Sequence, residues 1–196
     1  MAVYFSKKHL SILSVISIVF FQPVAQCASD TLDNTGDVLQ VVNPAVAGLV
    51  STQEKGLGHF AIVYGQVMAI TYATREIGKQ TKWKASRRPK KHGGKGGDYN
   101  GMPSGHTASA WSSAAYARTF YKEHKWVAIP LYASAAVTGY SRIQAKRHTV
   151  AQVVVAAFLS EGVVFLNEYI GWSDKYCGFD IQVGDKDCFL NFEIKI

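Results

Sequence analysis

The chain has 196 residues, of which 48% are apolar and 18% are charged. This length accommodates one domain with a substantial hydrophobic core and argues against two. The formal net charge of +7 at pH 7 favours an anionic partner, and the candidates are nucleic acid, phosphorylated lipids and small phosphate esters. A mean hydropathy of only +0.02 argues against a chain that crosses a membrane many times and favours one that touches a membrane surface.

The first 28 residues have the pattern of an export signal. Lys7 and Lys8 precede an apolar run from Leu10 to Phe21, which is followed by Pro23 and several small residues. We therefore predict a signal peptide at 1–28 and a location in the periplasm or on the periplasmic face of a bacterial inner membrane. An uncleaved N-terminal anchor is the alternative, although the apolar run is shorter than the ~20 residues that a membrane span needs.

Five stretches have the periodicity or composition of helices. Their predicted bounds are Asp37–Val50, short or kinked around Pro44, then Leu57–Lys79, Gly105–Glu123, Trp126–Tyr140 and Thr149–Tyr169. The last three are rich in small residues, which let helices pack closely. We predict a mainly α fold, a bundle of five or six helices spanning 29–172, with an extension at 173–196.

The extension has the pattern of a small β-hairpin. Cys177 and Cys188 bracket a turn at 184–185, and apolar residues alternate with charged ones from Phe192 to Ile196. In an oxidising compartment this spacing favours a disulfide between the two cysteines, with two free buried thiols as the alternative.

The segment Pro103-Ser104-Gly105-His106 has the pattern of a phosphate-binding site at the start of a helix. A helix that begins at Ser104 or Gly105 would direct its first backbone N–H groups, and the positive end of its dipole, at an anion. Ser104 is the natural cap, Gly105 permits close approach, and His106 on the first turn can protonate a leaving group. The structural alternative is an ordinary turn before a helix, with His106 as a capping residue.

A strongly basic loop precedes this segment. It contains Lys82, Arg88 and Pro89, followed by a glycine-rich stretch at 92–97. It is either a solvated linker or a clamp that closes on a substrate anion, with the glycines allowing the movement. Since the basic residues cluster in loops and line neither one helix nor an aromatic sheet face, nucleic acid is the least favoured partner.

A second histidine lies between the fourth and fifth predicted helices. His148 and Gln152 are four residues apart, so both face the same way if a helix begins near His148, and the amide can then reach the imidazole. An imidazole held in this way presents its other nitrogen outward, as a nucleophile attacking phosphorus would. The alternative is a surface histidine in a basic loop.

Together these segments resemble the type 2 phosphatidic acid phosphatase superfamily, which includes class A acid phosphatases, lipid A phosphatases and vanadium haloperoxidases. The family's first motif is a lysine followed by Arg-Pro, here Lys82 with Arg88-Pro89. The second, Pro-Ser-Gly-His, is complete at 103–106. The third is Ser-Arg, then His and Asp; Ser141-Arg142 and His148 match it, and Gln152 stands where Asp is expected.

The resemblance implies a helical bundle of the acid phosphatase and haloperoxidase type and a phosphohistidine mechanism. His148 would be the nucleophile, oriented by Gln152, and His106 would be the general acid. No metal or other cofactor is implied, because fixed cations and a helix terminus supply the charge stabilisation. The residues implied to bind the phosphate are Lys82, Arg88, Ser104, Gly105 and Arg142.

Two departures from the family pattern stand out. The family lysine usually lies seven residues before the arginine, where this chain has Thr81, so Lys82 is the best match and Lys79 and Lys84 are rivals. Gln152 can fix the imidazole tautomer but cannot balance the positive charge that develops on it. We accordingly expect Gln152→Asp to leave activity similar or to raise it, and His148→Ala to abolish it.

The leading hypothesis is an exported phosphatase that hydrolyses a phosphate monoester or diphosphate, with a lipid head group at a membrane surface as the favoured substrate. One alternative is a vanadate-dependent haloperoxidase, because vanadate fits the same cradle. Another is an anionic-lipid binding protein in which Gln152 marks lost catalysis. The residue pattern leaves the identity of the ester and the oligomeric state open.

Overall fold

The computed structural model describes residues 29–89, 98–176, 179–183 and 188–192. Two short 3₁₀ turns, Lys84–Ser86 and Lys125–Val127, lie between helices. The six α-helices in the described ranges are α1 (Ser29–Ser51), α2 (Leu57–Thr81), α3 (Gly105–Phe120), α4 (Ala128–Gln144), α5 (Val150–Ile170) and α6 (Trp172–Tyr176). The mainly helical part of the prediction is therefore confirmed.

The C-terminal extension contains two short strands, β1 (Phe179–Val183) and β2 (Cys188–Phe192), which pair antiparallel. The turn that would join them and the first cysteine, Cys177, lie outside the described residues, as do the signal at 1–28 and the glycine-rich stretch. The hairpin, its disulfide to Cys188 and the signal peptide thus stay predictions.

Helix α3 is the centre of the bundle. It packs against α1, α2, α4 and α5, and 12 of its 16 residues are buried. Most of these are Ala or Ser, whose small side chains let four neighbouring helices approach one backbone. The larger core residues, among them Tyr116 and Leu131, fill the end of the bundle away from the α3 N-terminus. This packing fixes the position of the α3 N-terminus among the other helices.

Helix α1 begins eight residues earlier than predicted and continues through Pro44. Proline removes the hydrogen bond to the carbonyl of residue i−4, which is Gln40. The Ser109 hydroxyl donates to that carbonyl at 2.6 Å, so the loss is compensated by a contact with α3. Periodicity missed the first two turns of α1 because their side chains are mostly polar, and one of them, Asp33, binds a residue distant in the sequence.

Asn43 fastens α1 to the bundle. Its amide nitrogen donates to the carbonyls of Ala110 and Leu131, both at 3.2 Å, and its amide oxygen accepts from the Ser134 hydroxyl. The side chain has no exposed surface. A buried polar group with all its partners is costly to displace, so α1 is a fixed part of the fold.

Helix α3 ends at Phe120, three residues before its predicted end. The carboxylate of Glu54 accepts from the backbone N–H groups of Lys122, Glu123 and His124 at 2.8–3.1 Å, and from the His124 ring at 2.9 Å. These N–H groups point at a side chain from the α1–α2 turn instead of continuing the helix. The long-range contact has no counterpart in the local sequence.

Helix α5 carries a capping box, in which Thr149 Oγ1 accepts from the Gln152 backbone and the Gln152 side chain accepts from the Thr149 backbone. Among the described residues it is the one helix long and apolar enough to cross a membrane by length and composition alone. Only 28% of its most apolar window is buried. Its outward apolar residues are Val150, Val154, Val155, Phe158, Phe165, Leu166, Tyr169 and Ile170.

The approach of α1 to α4 gives a first prediction. A Cβ atom added at Gly36 would lie 1.9 Å from Ser141 Oγ and 2.5 Å from Arg142 Nη2, and both side chains are fully buried. We expect Gly36→Ala to lower the free energy of unfolding by about 1–3 kcal/mol in denaturant titrations, because overpacking strains a closed interface. Gly65→Ala is the matched control.

At Gly65, in the middle of α2, an added Cβ meets no atom within 4 Å. We expect Gly65→Ala to raise the free energy of unfolding by about 0.5–1 kcal/mol, since alanine has the higher helix propensity. Similar responses of the two variants would show that α1 does not approach α4 as closely as the structure indicates.

Candidate active site

The loops that carry the first two motifs are bonded into one unit. Backbone hydrogen bonds run from Arg88 N to Asp98 O at 2.9 Å and from Gly101 N to Ser86 O at 2.7 Å. The buried Ser86 hydroxyl also accepts from the backbone N–H of Met102 at 3.1 Å. The Arg-Pro segment is therefore fixed relative to the Pro-Ser-Gly-His segment on both sides of 90–97.

His148 lies buried beneath these loops, with 3% of its surface exposed. Its Nδ1 is 2.9 Å from the Gly101 carbonyl oxygen and 3.1 Å from Gln152 Oε1. Both partners are acceptors, so Nδ1 carries the proton and Nε2 is unprotonated. Burial lowers the pKa of His148 to about 3, and the charges of Arg88 and Arg75 act in the same direction. The imidazole is therefore neutral at ordinary pH, with Nε2 unprotonated.

Gln152 connects all three motifs. Its side-chain nitrogen donates to the carbonyls of Ala85 and Arg87, both at 3.0 Å, and its Oε1 accepts from His148. Its backbone carbonyl accepts from the Ser104 N–H at 3.0 Å. The two carbonyl contacts fix the orientation of the amide, because only its nitrogen can donate to them. An aspartate could accept from His148 but could not donate to the Arg-Pro loop.

Two arginines lie close to the His148 imidazole. Arg75, on α2, donates from Nε to the Asn100 carbonyl at 2.9 Å, and its Nη1 is 3.0 Å from where a Cβ of Gly105 would stand. Burial and the positive charges of Arg75 and Arg147 lower the pKa of Arg88, and Asp98 opposes them. The buried Arg88 Nε has no hydrogen-bond partner among the described residues. Mutually repelling guanidinium groups beside a neutral histidine form a site that an anion would stabilise.

A second cluster joins α1 to α4. Asp37 Oδ1 is 2.8 Å from His106 Nε2 and 2.7 Å from Arg142 Nη1. Arg142 also contacts Asp33, which in turn receives a hydrogen bond from Arg147 Nε at 2.9 Å. Arg142 has no exposed surface, and its guanidinium faces the carboxylates of α1. Its predicted contact with phosphate stays a prediction.

His106 is linked to both clusters. Burial and the positive charge of Arg142 lower its pKa, whereas the hydrogen bond to Asp37 and the charge of that carboxylate raise it. Arg147 acts on the pKa of His106 and on that of Arg88, in both cases to lower it. Arg147 thus acts on one group of each cluster, and the roles of Arg88, His106, Arg142 and His148 stay predictions.

The remaining predicted residues occupy different positions. Ser104 is the N-cap residue of α3, as predicted, but its side chain makes no capping bond and its buried hydroxyl instead accepts from Thr107 Oγ1 at 3.0 Å. Gly105 begins the helix. Lys82 ends α2 in a left-handed conformation with an exposed side chain, and no ion pair or hydrogen bond joins that side chain to another described residue.

Sequence reasoning missed two residues of the site, Arg75 and Asp37. Arg75 lies 13 positions before Arg88, outside the spacing of the first motif. The local sequence shows only that Tyr72 and Arg75 are one helical turn apart, a spacing that allows a cation–π contact. In the structure the guanidinium lies 5.4 Å from the Tyr72 ring. Asp37 had no local signal, because its partners are 69 and 105 residues away.

Comparison with known protein families identifies the family of this chain. The sequence profile described as the PAP2 superfamily matches residues 61–173, from the second turn of α2 to α6. The matched region contains all three motifs and excludes α1. The chain belongs to the PAP2 superfamily, and the resemblance inferred from the motifs is confirmed.

A curated relative is the lipid A 4'-phosphatase of Helicobacter pylori (strain J99). It is 31% identical over 147 residues, which cover 69% of this chain and 68% of the relative. No solved structure matches the chain.

The described part of the chain contains no group of three or more His, Cys, Asp or Glu side chains arranged to hold a metal ion. Glu161, a carboxylate of α5, accepts from Trp111 Nε1 at 2.9 Å and Tyr132 Oη at 2.6 Å, and pairs with Arg118 at 2.9 Å. Glu161 is thus engaged with α3 and α4.

The contacts of Gln152 change the expectation for Gln152→Asp. The shorter carboxylate cannot donate to the Ala85 and Arg87 carbonyls, so the Arg-Pro loop loses two buried hydrogen bonds. We expect the free energy of unfolding to fall by about 2 kcal/mol in denaturant titrations and kcat to fall with it. Gln53→Asp, in the turn at the opposite end of α2 from Arg75, controls for the added charge. Unchanged stability with equal or higher kcat would restore the expectation drawn from the family motif.

The buried histidine also predicts a pH dependence of stability. His148 has a pKa of about 3 in the native protein, whereas an exposed histidine titrates near pH 6.5. Between these values the unfolded chain binds more protons, so the native state loses stability as the pH falls. His148→Asn, which cannot be protonated, should reduce the slope of unfolding free energy against pH by about 1 kcal/mol per unit between pH 6 and 4.

Denaturant unfolding at a series of pH values measures this slope. His59, whose pKa is lowered to about 4 by burial, provides an internal comparison, because it adds a similar slope in both proteins. Parallel curves for wild type and His148→Asn would mean that His148 is not buried as a neutral imidazole.

Proposed function

We propose that the protein is an exported phosphatase that hydrolyses a phosphate monoester on a lipid head group through a phosphohistidine intermediate, without a metal ion. The proposal is carried by one observation: a buried, neutral His148 whose proton is fixed on Nδ1, beside the guanidinium groups of Arg75 and Arg88. This combination leaves an unprotonated imidazole nitrogen next to two guanidinium groups that repel each other.

In the proposed reaction the phosphate oxygens are bound by Arg88, Arg75 and the N–H groups at the start of α3, with Arg142 behind them. Nε2 of His148 forms a bond to phosphorus as the bond from phosphorus to the leaving oxygen breaks. His106 gives the leaving alkoxide its proton. Water then attacks phosphorus as the bond to Nε2 breaks and gives a proton to the neutral His106, which releases inorganic phosphate and restores both histidines.

Electrostatic stabilisation by fixed donors supports this mechanism. The transferred phosphoryl group spreads its charge over three oxygens, which guanidinium forks and helix N–H groups match in geometry. Removing a single such donor from an enzyme typically lowers turnover by about 10²–10³-fold. In this protein the donors are held in place before substrate binds, since the loop carrying Arg88 is bonded to Asp98, Ser86 and Gln152.

Two observations favour a phosphorylated lipid over a soluble ester. The curated relative is named for the 4'-phosphate of lipid A, and we infer a substrate of that chemical class. The exposed apolar side chains of α5 begin in its first turn, close to His148, and continue along the helix. They could contact the acyl chains of a lipid. The membrane surface would then be the protein's partner, with the basic loops near the anionic head groups.

Phosphate release by the purified protein tests the proposal, with phosphorylated glycolipids and phospholipids compared with soluble phosphate esters. We expect turnover of lipid monoesters, retained in excess EDTA, and a phosphohistidine at His148 trapped by rapid acid-free quenching and mass spectrometry. Turnover by His148→Ala, or loss of activity in EDTA that added metal restores, would contradict the mechanism. Bromide oxidation with added vanadate, if it exceeded phosphate release, would instead favour a haloperoxidase.

Comparing Arg75→Ala with Lys82→Ala identifies the cation that contacts the phosphate. Arg75 approaches both Gly105 and His148, whereas Lys82 is exposed at the end of α2. We expect Arg75→Ala to lower kcat/KM by about 10²-fold or more and Lys82→Ala to have a much smaller effect. Steady-state kinetics on one ester measure both. The reverse order would restore the motif assignment of Lys82.

A further inference from the structure

We propose that Asp37 is the positioning residue of the general acid: it holds the proton of His106 on Nε2, so that the second nitrogen, Nδ1, delivers a proton to the leaving group. The inference rests on the proposed function and extends the site to α1, which lies before the region that matches the family.

The geometry determines which nitrogen of His106 carries the first proton. Asp37 Oδ1 lies 2.8 Å from His106 Nε2, and a carboxylate only accepts hydrogen bonds, so Nε2 is protonated. Burial acts to raise the pKa of Asp37, but the charge of Arg142 and the hydrogen bonds from His106 and Arg142 outweigh it, and the pKa is lowered. Asp37 therefore stays ionised and stabilises a doubly protonated His106.

The proton balance of the step follows. Imidazolium His106 carries one proton on Nε2, bonded to Asp37, and one on Nδ1. As the bond between phosphorus and the leaving oxygen breaks, the Nδ1 proton passes to that oxygen, and His106 remains as the neutral Nε2–H tautomer that Asp37 already holds. No reorientation of the ring is needed between the two states, which is the benefit of a fixed carboxylate partner.

A different reading of the same contact is that Asp37 occupies the place of a phosphate oxygen and leaves when substrate binds. The anchoring of α1 opposes it. Gly36 brings the helix so close to Ser141 and Arg142 that no Cβ fits, and Asn43 holds it with three buried hydrogen bonds. A carboxylate on so firmly held a helix is a permanent part of the site.

Within the described part of the chain, the charged groups that act on His106 come from three elements: Asp37 from α1, Arg142 from α4 and Arg147 from the loop after α4. The two arginines disfavour the imidazolium, and Asp37 favours it. Removing the Asp37 charge thus leaves His106 with the arginines alone. Its pKa should fall further, and the pH above which the acid is lost should fall with it.

Asp37→Asn and Asp37→Ser test the proposal, with Asp33→Asn as the matched control. Asp33 is one turn away on the same helix, and the charged groups that it contacts are Arg142 and Arg147. We expect both Asp37 variants to move the alkaline limb of kcat/KM down by about one pH unit, and the control to leave that limb in place. Titration of the substrate phosphate is common to all variants and cancels in the comparison.

Histidine titration by NMR provides a readout that does not depend on activity. We expect the pKa of His106 to fall by about one unit in the Asp37 variants, and wild-type His106 to show Nε2 as its protonated nitrogen above that pKa. An unchanged His106 pKa would overturn the proposal, as would an unchanged alkaline limb accompanied by tighter inhibition by inorganic phosphate. If the wild type hydrolyses no ester, the proposed function fails, and the NMR result still decides whether Asp37 controls His106.

Discussion

The amide of Gln152 is the contact on which the site depends. Through its nitrogen it holds the loop that carries Arg88, through its oxygen it fixes the His148 tautomer, and through its backbone carbonyl it bonds the residue before α3. Each partner belongs to a different stretch of the chain. Because an amide both donates and accepts, one side chain satisfies buried groups of both kinds, which a carboxylate in the same place could not do.

The buried arginines of the site lie in two different electrostatic environments. On the side of α2, Arg75 and Arg88 lie beside a neutral imidazole, and burial and the charge of Arg75 disfavour the charged form of Arg88. On the side of α1, Arg142 is buried against the carboxylates of Asp33 and Asp37. Burial of an unpaired charge is costly. A bound phosphate would relieve that cost on the first side, whereas the second side is already neutralised and serves to hold its groups in place.

Much of the fold and part of the site could be predicted from sequence. The starts of α2, α3 and α5 follow from glycine, Ser104 and Thr149, whose effects are local, and the four-residue spacing placed Gln152 beside His148. The early turns of α1, the end of α3 and the roles of Asp37 and Arg75 could not be predicted. Each depends on a partner many residues away, such as Glu54 for the loop after α3, and neither periodicity nor motif spacing records such partners.

His148 lies just before the N-terminus of α5, whose solvent-facing side is apolar along most of its length. If that side rests among acyl chains, a lipid substrate reaches the imidazole by lateral diffusion within the bilayer and never has to leave it. The encounter rate would then follow the mole fraction of substrate in the surface instead of its concentration in the surrounding water. Diluting the substrate with inert lipid at constant total substrate would slow the enzyme, a behaviour typical of interfacial catalysis.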